Sequence, residues 1–238
     1  MATTSIRENL LRVQERILAA ARRVGRRSDE ITLIGVSKTH PAEAIREAFE
    51  AGMRHFGENR VQEWEGKQAG LQDMNARWHL IGHLQSNKAT RAAKLFHSVD
   101  SVDDFALAQR LDRARIESNG PGKLRVLIEV HIAKEEAKSG AEVEELPVLA
   151  EKVAGLPMLE LAGLMCIPPF AENVEETRPY FRRLRELRDD LAEQLGRALP
   201  VLSMGMSHDF EVAIEEGATE VRVGTALFGT RGTVKVGQ

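Results

Sequence analysis

The sequence predicts an α/β protein: a single (β/α)8 barrel of the TIM type with an extra helix at its N-terminus. Three observations carry this reading. Short β-branched or apolar runs alternate with longer stretches of helical period along the chain, as in a parallel sheet with crossover helices. The runs number eight, which closes a barrel, and 238 residues is near the ~250 typical of that architecture. No Pro/Gly-rich linker or change of composition divides the chain, so residues 1–238 are read as one domain. The competing architecture is an open doubly wound sheet. It is disfavoured because no Gly-rich dinucleotide fingerprint follows the first strand.

The first helix is read from Ile6, Leu10, Val13, Ile17, Ala20 or Ala21 and Val24, which recur at helical spacing. Residues 1–27 carry seven Arg against Glu8 and Glu15. A mitochondrial transit peptide is the alternative to a folded amphipathic helix. The helix is preferred because its apolar stripe runs directly into the fold.

The first strand is Ile31–Lys38. Pro41 and Glu43 suit the first turn of the next helix, which reaches about Ala51 and ends at Gly52. The second strand is His55–Asn59, with a helix over about Arg60–Leu71. The third is Arg77–Gly82, followed by a helix near Ser86–Ala93. The fourth is Leu95–Asp100, and Ser101 with Asp104 resembles a capping pair for a helix to Glu117. Asn119–Gly122 is a turn. Leu124–His131 is the strongest strand signal, and a helix near Val143–Ala154 follows it. Leu159–Ile167 is stopped by Pro168 and Pro169. Asn173 and Glu176 suit the start of a helix whose stripe is Phe181, Leu184, Leu187, Leu191 and Leu195. Val201–Met206 is the seventh strand, with a helix over Asp209–Glu216. Glu220–Thr225 is the eighth.

Composition narrows the function. Hydrophobic residues at 42% and charged residues at 29% are ordinary for a globular chain. A net charge of −3 gives no support to a nucleic-acid binder driven by bulk positive charge. Cys166 is the single cysteine, so an intramolecular disulfide and a Cys-rich zinc site are both excluded. A lone thiol fits a reducing compartment, and no metal site is read in the sequence. No apolar run approaches the ~20 residues that span a bilayer, and no secretory signal core is present. A cytoplasmic protein is expected.

In such a barrel the chemistry sits at the carboxyl ends of the strands. Lys38 follows Ile34 and Val36 at period two, so it should share their inward face. Burial disfavours the charged form of an amine, and a neutral amine is what Schiff-base chemistry needs. The plainer role is a salt bridge with Glu58 or another rim carboxylate. The loops after strands seven and eight are the usual phosphate site. Here they are Ser203–Ser207 and Gly224–Thr225, whose small residues expose backbone N–H groups. A lysine and a phosphate cradle in one barrel mouth fit pyridoxal 5′-phosphate (PLP). Arg222 shares the parity of Gly224 and should point inward. It needs an acceptor there, either a pyridine nitrogen or a buried carboxylate.

At these residues the sequence resembles the PLP homeostasis proteins, the YggS/PROSC family. The matching segments are Val36–Thr39, Phe56–Glu63, Trp78–Lys88, Lys138–Gly140, Gly163–Pro168, Leu202–Ser207 and Val221–Gly229, in order from the first strand to the last. The resemblance implies a barrel like the N-terminal domain of alanine racemase. It implies PLP held as a Schiff base on Lys38, with phosphate contacts at Ser203, Gly224 and Thr225. It further implies a pyridine-nitrogen contact at Arg222, Asn59 near the cofactor and Met165 on the ring face. Ser207 could assist the phosphate or cap the following helix, and the cap is preferred. His40, His131 and His208 depart from the commonest family patterns and are read as rim variation. Lys138 could meet a PLP aldehyde transiently, but a solvated loop charge is the preferred reading.

Two functions follow from the resemblance. One is a PLP-binding protein that holds the cofactor and influences its supply to other PLP-dependent enzymes, without robust turnover. The other is a small PLP-dependent amino-acid racemase. A two-base racemase needs a second acid/base opposite Lys38. In alanine racemase a tyrosine does this work, supplied through a second, β-rich domain for which this chain has no length left. Tyr180 is placed on a helix far from the strand ends. Cys166, the only thiol near a strand end, could be the missing base, but a buried core cysteine is preferred. The carrier is therefore expected, as a monomer or weak dimer with no nucleic-acid or membrane partner.

Overall fold

The computed structural model describes residues 5–118, 122–133 and 139–229. Eight parallel strands close into a barrel in chain order. They are β1 (Thr32–Val36), β2 (His55–Glu58), β3 (Arg77–Leu80), β4 (Ser98–Val102), β5 (Leu124–Glu129), β6 (Leu159–Met165), β7 (Val201–Met206) and β8 (Glu220–Val223). β1 and β8 seal the ring in parallel, with Ile34 opposite Arg222 and Gly35 opposite Val223. Helices α1 (Ile6–Arg23), α2 (Ala42–Glu50), α3 (Val61–Glu65), α4 (Ala89–Leu95), α5 (Phe105–Glu117), α6 (Leu146–Ala154), α7 (Arg178–Gln194), α8 (Phe210–Glu215) and α9 (Thr225–Phe228) complete it.

α1 buries Leu10, Val13, Ile17, Ala20 and Ala21, the stripe that its spacing predicts. Ser5 and Glu8 start it with a reciprocal capping box. It packs against α8 and α9, and Asn9 Nδ2 donates to the Leu227 carbonyl at 3.0 Å. Residues 5–24 are thus part of the folded body.

β4 begins later than the sequence suggests. Leu95 ends α4, and Phe96 is its C-cap and is buried in the core outside the sheet. Their hydrophobicity serves helix packing rather than a strand. The capping pair also divides. Asp104 accepts from the Leu107 N–H at 2.6 Å, whereas Ser101 Oγ donates to the Gly82 carbonyl at 2.7 Å. Asp104→Ala should therefore destabilise the protein by about 0.5–2 kcal/mol, the usual worth of an N-cap, as read by urea denaturation. Ser101→Ala should leave the α5 cap intact.

Two cores result. The larger lies between sheet and helices and includes Phe56, Leu111, Phe181 and Phe210. The smaller, Leu127, Ala162 and Met165 with Val201 against them, lies on the inner faces of β5, β6 and β7.

Polar side chains fill the amino end of the barrel. His55 Nδ1 lies 3.0 Å from His79 Nε2, and His79 Nδ1 lies 3.1 Å from Asp100 Oδ2. Ser98 Oγ donates to Asp100 Oδ1, and Arg125 Nη2 donates to Glu220 Oε1 at 2.7 Å. β5 and β8 are not neighbours in the sheet, so the Arg125–Glu220 contact crosses the interior.

Candidate cofactor-binding site

The carboxyl end of β1 turns sharply. The His40 N–H donates to the Ser37 carbonyl at 3.1 Å, and Thr39 has φ +65°. A hydrogen-bonded turn with positive φ at its third residue is the type II pattern, which ordinarily favours Gly or Asn there. Thr39 is the one non-glycine residue with positive φ among the described residues. Such strain collects where a neighbour must be held in place, and the neighbour here is Lys38, half-buried just beyond β1.

Ser37 and Glu58 beneath this turn are fully buried. Ser37 Oγ donates to Glu58 Oε1 at 2.7 Å. Lys67 Nζ donates to the Ser37 carbonyl at 2.9 Å and to Glu58 at 3.0 and 3.2 Å. Burial pushes the Glu58 carboxyl up, and the Lys67 charge opposes that push. Glu58, one of the rim carboxylates considered for Lys38, is engaged by Lys67. No local spacing signal marks Lys67, which reaches the site from beyond α3.

Arg222 is 3% exposed. Nη1 donates to Ser203 Oγ at 2.8 Å and Nη2 to the Cys166 carbonyl at 2.9 Å. These partners are a hydroxyl and a carbonyl, so a paired carboxylate is not what holds it. Ser203 thus sits beside Arg222, buried, rather than on the loop with Gly224 and Thr225.

At that loop the structure supplies a different hydroxyl. Ser207 Oγ accepts from the Gly224 N–H at 3.2 Å and from the Ala226 N–H at 3.3 Å. Ser207 therefore serves the start of α9, not of α8 as its sequence position suggests. Two backbone donors converging on one oxygen atom is the local chemistry a phosphate oxygen requires. Gly224 is half-buried and Thr225 exposed. A Cβ on Gly224 would stand 3.4 Å from Val36 Cβ, which brings the end of β8 against β1 just below Lys38.

Asn59 is half-buried and borders a cavity of about 760 Å3 whose wall includes Arg60, Glu63, His83, Gln85 and Lys88. Lys38, Arg222 and Gly224 are not in that wall, so the cavity flanks the lysine on the β2–β3 side. A Cβ on Gly82 would meet the Asn59 carbonyl oxygen at 2.6 Å. The end of β3 therefore lies tight against Asn59.

Met165 and Cys166 point to opposite faces, as their alternation predicts. Met165 joins the inner cluster and Cys166 the outer core. Cys166 is fully buried, and that burial pushes its thiol up to about 12. Native protein at pH 8 should therefore leave Cys166 unmodified by a disulfide-exchange reagent, whereas unfolded protein should react with one equivalent.

Of the further rim groups, Glu129 carries no sequence signal, whereas His131, His40 and His208 are the positions read as rim variation. Glu129 is buried at the end of β5, where it accepts from Ser139 Oγ at 3.2 Å. His131 Nδ1 lies 2.9 Å from Glu142 Oε1. His40 stacks on Phe228 at 4.8 Å, and His208 on Phe170 at 5.2 Å. The last two contacts give both histidines a packing role. Lys138 lies outside the described residues.

The donor set fits PLP: a primary amine at a strand end, convergent N–H donors after β8, and a fixed guanidinium between them and the barrel interior. Comparison with known proteins agrees. Residues 7–232 match the family model of the alanine racemase N-terminal domain. The pyridoxal phosphate homeostasis protein of Aquifex aeolicus is 50% identical over 224 residues, covering 94% of this chain and 97% of that protein. The Escherichia coli K12 protein of the same name is 45% identical, covering 95% and 97%. PipY of Synechococcus elongatus, solved with PLP bound, aligns with a TM-score of 0.81 at 42% identity. That alignment covers 91% of this chain and 100% of PipY. Clostridium difficile alanine racemase shares the fold at 15% identity, with a TM-score of 0.75 over 98% of this chain and 59% of the racemase. Barrel, strand-end lysine and full-length similarity agree: this chain belongs to the alanine racemase N-terminal domain family and, within it, to the pyridoxal phosphate homeostasis proteins.

Proposed function

We propose that residues 1–238 form one PLP-binding domain that holds the cofactor covalently through Lys38 and serves intracellular PLP homeostasis. The observation that carries this reading is the close approach of two strand ends: Gly224, whose N–H donates to Ser207, lies against Val36, two residues before Lys38. When bound, PLP supplies an aldehyde that condenses with a primary amine and a ring that withdraws electrons. Lys38 supplies the amine. Gly224, Ala226 and Ser207 hold the phosphate, with Thr225 beside them. Met165 and Asn59 bound the ring. Arg222, fixed by Ser203 and the Cys166 carbonyl, donates toward the pyridine nitrogen and keeps it unprotonated. An unprotonated ring is a weak electron sink, which favours storage over turnover.

The same residues argue for a carrier rather than a racemase. A second proton-transfer group is needed opposite Lys38. Cys166 faces the outer core with its thiol pushed up to about 12, and Tyr180 stands on α7 in the helical layer. Recipient apo-enzymes, a cytoplasmic location and a monomer or weak dimer belong to this reading. No described helix is long and apolar enough to cross a membrane.

The test is transfer. Protein loaded with PLP and freed of excess by gel filtration should retain about one equivalent and restore activity to an apo-enzyme that needs PLP. Free PLP at equal concentration is the reference. Protein that leaves the column without PLP would overturn the proposal.

A further inference from the structure

The amino end of the barrel holds a second constellation that the PLP reading does not use. His79, Asp100 and Glu220 come from β3, β4 and β8. They are 2%, 0% and 6% exposed, and one ligand atom from each lies within 4.8 Å of the others. Glu220 Oε1 is taken by Arg125. Its Oε2 is buried and has no hydrogen-bond partner among the described residues. An anionic oxygen stripped of water and left without a donor costs free energy unless a cation or proton meets it.

We propose that His79, Asp100 and Glu220 bind one divalent transition-metal ion, Zn2+ ahead of Mn2+. One imidazole nitrogen with carboxylate oxygens is a donor set that both ions accept, and Zn2+ outranks Mn2+ at a given site. Ligands at about 2.0–2.2 Å from an ion stand roughly 3.3–3.6 Å apart, so small side-chain rotations from the present spacing close the site. The outer contacts also suit a metal. A ligating histidine usually donates its other ring N–H to a fixed acceptor, and His79 Nε2 faces His55 Nδ1 at 3.0 Å. Asp100 is held through its other oxygen by Ser98. Burial and the neighbouring Asp100 push the Glu220 carboxyl up, so a buried proton is the competing occupant, which the Glu220→Gln variant distinguishes. His55 and Arg125 are only partly buried, which leaves an entry path from the amino face. The ion would tie β3, β4 and β8 together across the interior, remote from Lys38. The sequence carries no ligand spacing for it, because the three residues come from three separate strands.

The test uses the full chain, stripped of metal by a chelator, with and without PLP. Calorimetric titration with Zn2+ should show one saturable equivalent, with Mn2+ binding more weakly, and Zn2+ should raise Tm by several degrees. Glu220→Gln, nearly isosteric, should lower Zn2+ affinity at least ~10-fold. His55→Ala removes a positioning residue and should lower it about 10- to 100-fold. His131→Ala, at the other end of the barrel, should leave it unchanged. Absence of saturable binding, or equal binding by Glu220→Gln, overturns the proposal. So does a metal-insensitive protein that Glu220→Gln stabilises, which would mark a buried proton instead. If the variants fail to fold, Co2+ on the wild type decides. Visible bands of a four- or five-coordinate ion support the site, and the spectrum of the aqueous ion alone overturns it.

Discussion

Lys38→Ala should abolish the borohydride-stable attachment of PLP altogether. Reduction of the wild-type protein with PLP should fix one equivalent, and peptide mapping should place it on Lys38. The fold should survive the substitution. The side chain lies beyond the last residue of β1 and is only half-buried. PLP should still bind weakly through the Gly224 and Ala226 donors and Arg222, now fully displaced by dialysis. Lys38→Arg should behave the same way, since a guanidinium stays protonated and cannot serve as the nucleophile. Lys88, in the wall of the neighbouring cavity, provides the control: Lys88→Ala should keep the full adduct. An undiminished adduct in Lys38→Ala would show that a different amine is the attachment point.

The legible part of this site was the part written along single strands. Period-two alternation puts Arg222 inside and separates Met165 from Cys166. Helical period likewise identifies the buried stripe of α1. The structure adds what depends on strands far apart in sequence. The Ser207 hydroxyl meets N–H groups 17 and 19 residues away, and Lys67 reaches back to Glu58 and Ser37. His79, Asp100 and Glu220 meet only because the sheet closes. Of these contacts only Lys67–Glu58, nine residues apart, falls within a window of a dozen residues, and that spacing is no signal by itself. The fourth strand was displaced for a related reason. Leu95 and Phe96 are as apolar as strand residues but pack from the helical side of the sheet, and short apolar runs do not distinguish the two.

Gly163→Ala should be the most destabilising small substitution in the barrel. Gly163 pairs with Leu127 of β5 and Val201 of β7. A Cβ there would stand 1.9 Å from the Val201 carbonyl oxygen and 2.7 Å from its carbon. The obstruction is backbone in a closed ring, so no rotamer change relieves it and the sheet itself must part. A cost above about 4 kcal/mol is expected, a large share of the ~5–15 kcal/mol that stabilises a typical domain. Urea denaturation or expression in insoluble form would register it. Gly25 supplies the comparison. Its φ is +68° and nothing lies within 4 Å of an added Cβ, so Gly25→Ala carries only the left-handed backbone penalty of about 1–2 kcal/mol. If Gly163→Ala matched Gly25→Ala, the close approach of β6 to β7 would be wrong. That approach bears on function as well as stability. Gly163 and Val201 each lie two residues before a site residue, Met165 and Ser203, which are themselves paired. Parting the strands would move Ser203 and the Cys166 carbonyl away from Arg222. Any folded Gly163→Ala protein should therefore lose PLP affinity even though no atom that touches the cofactor has been changed.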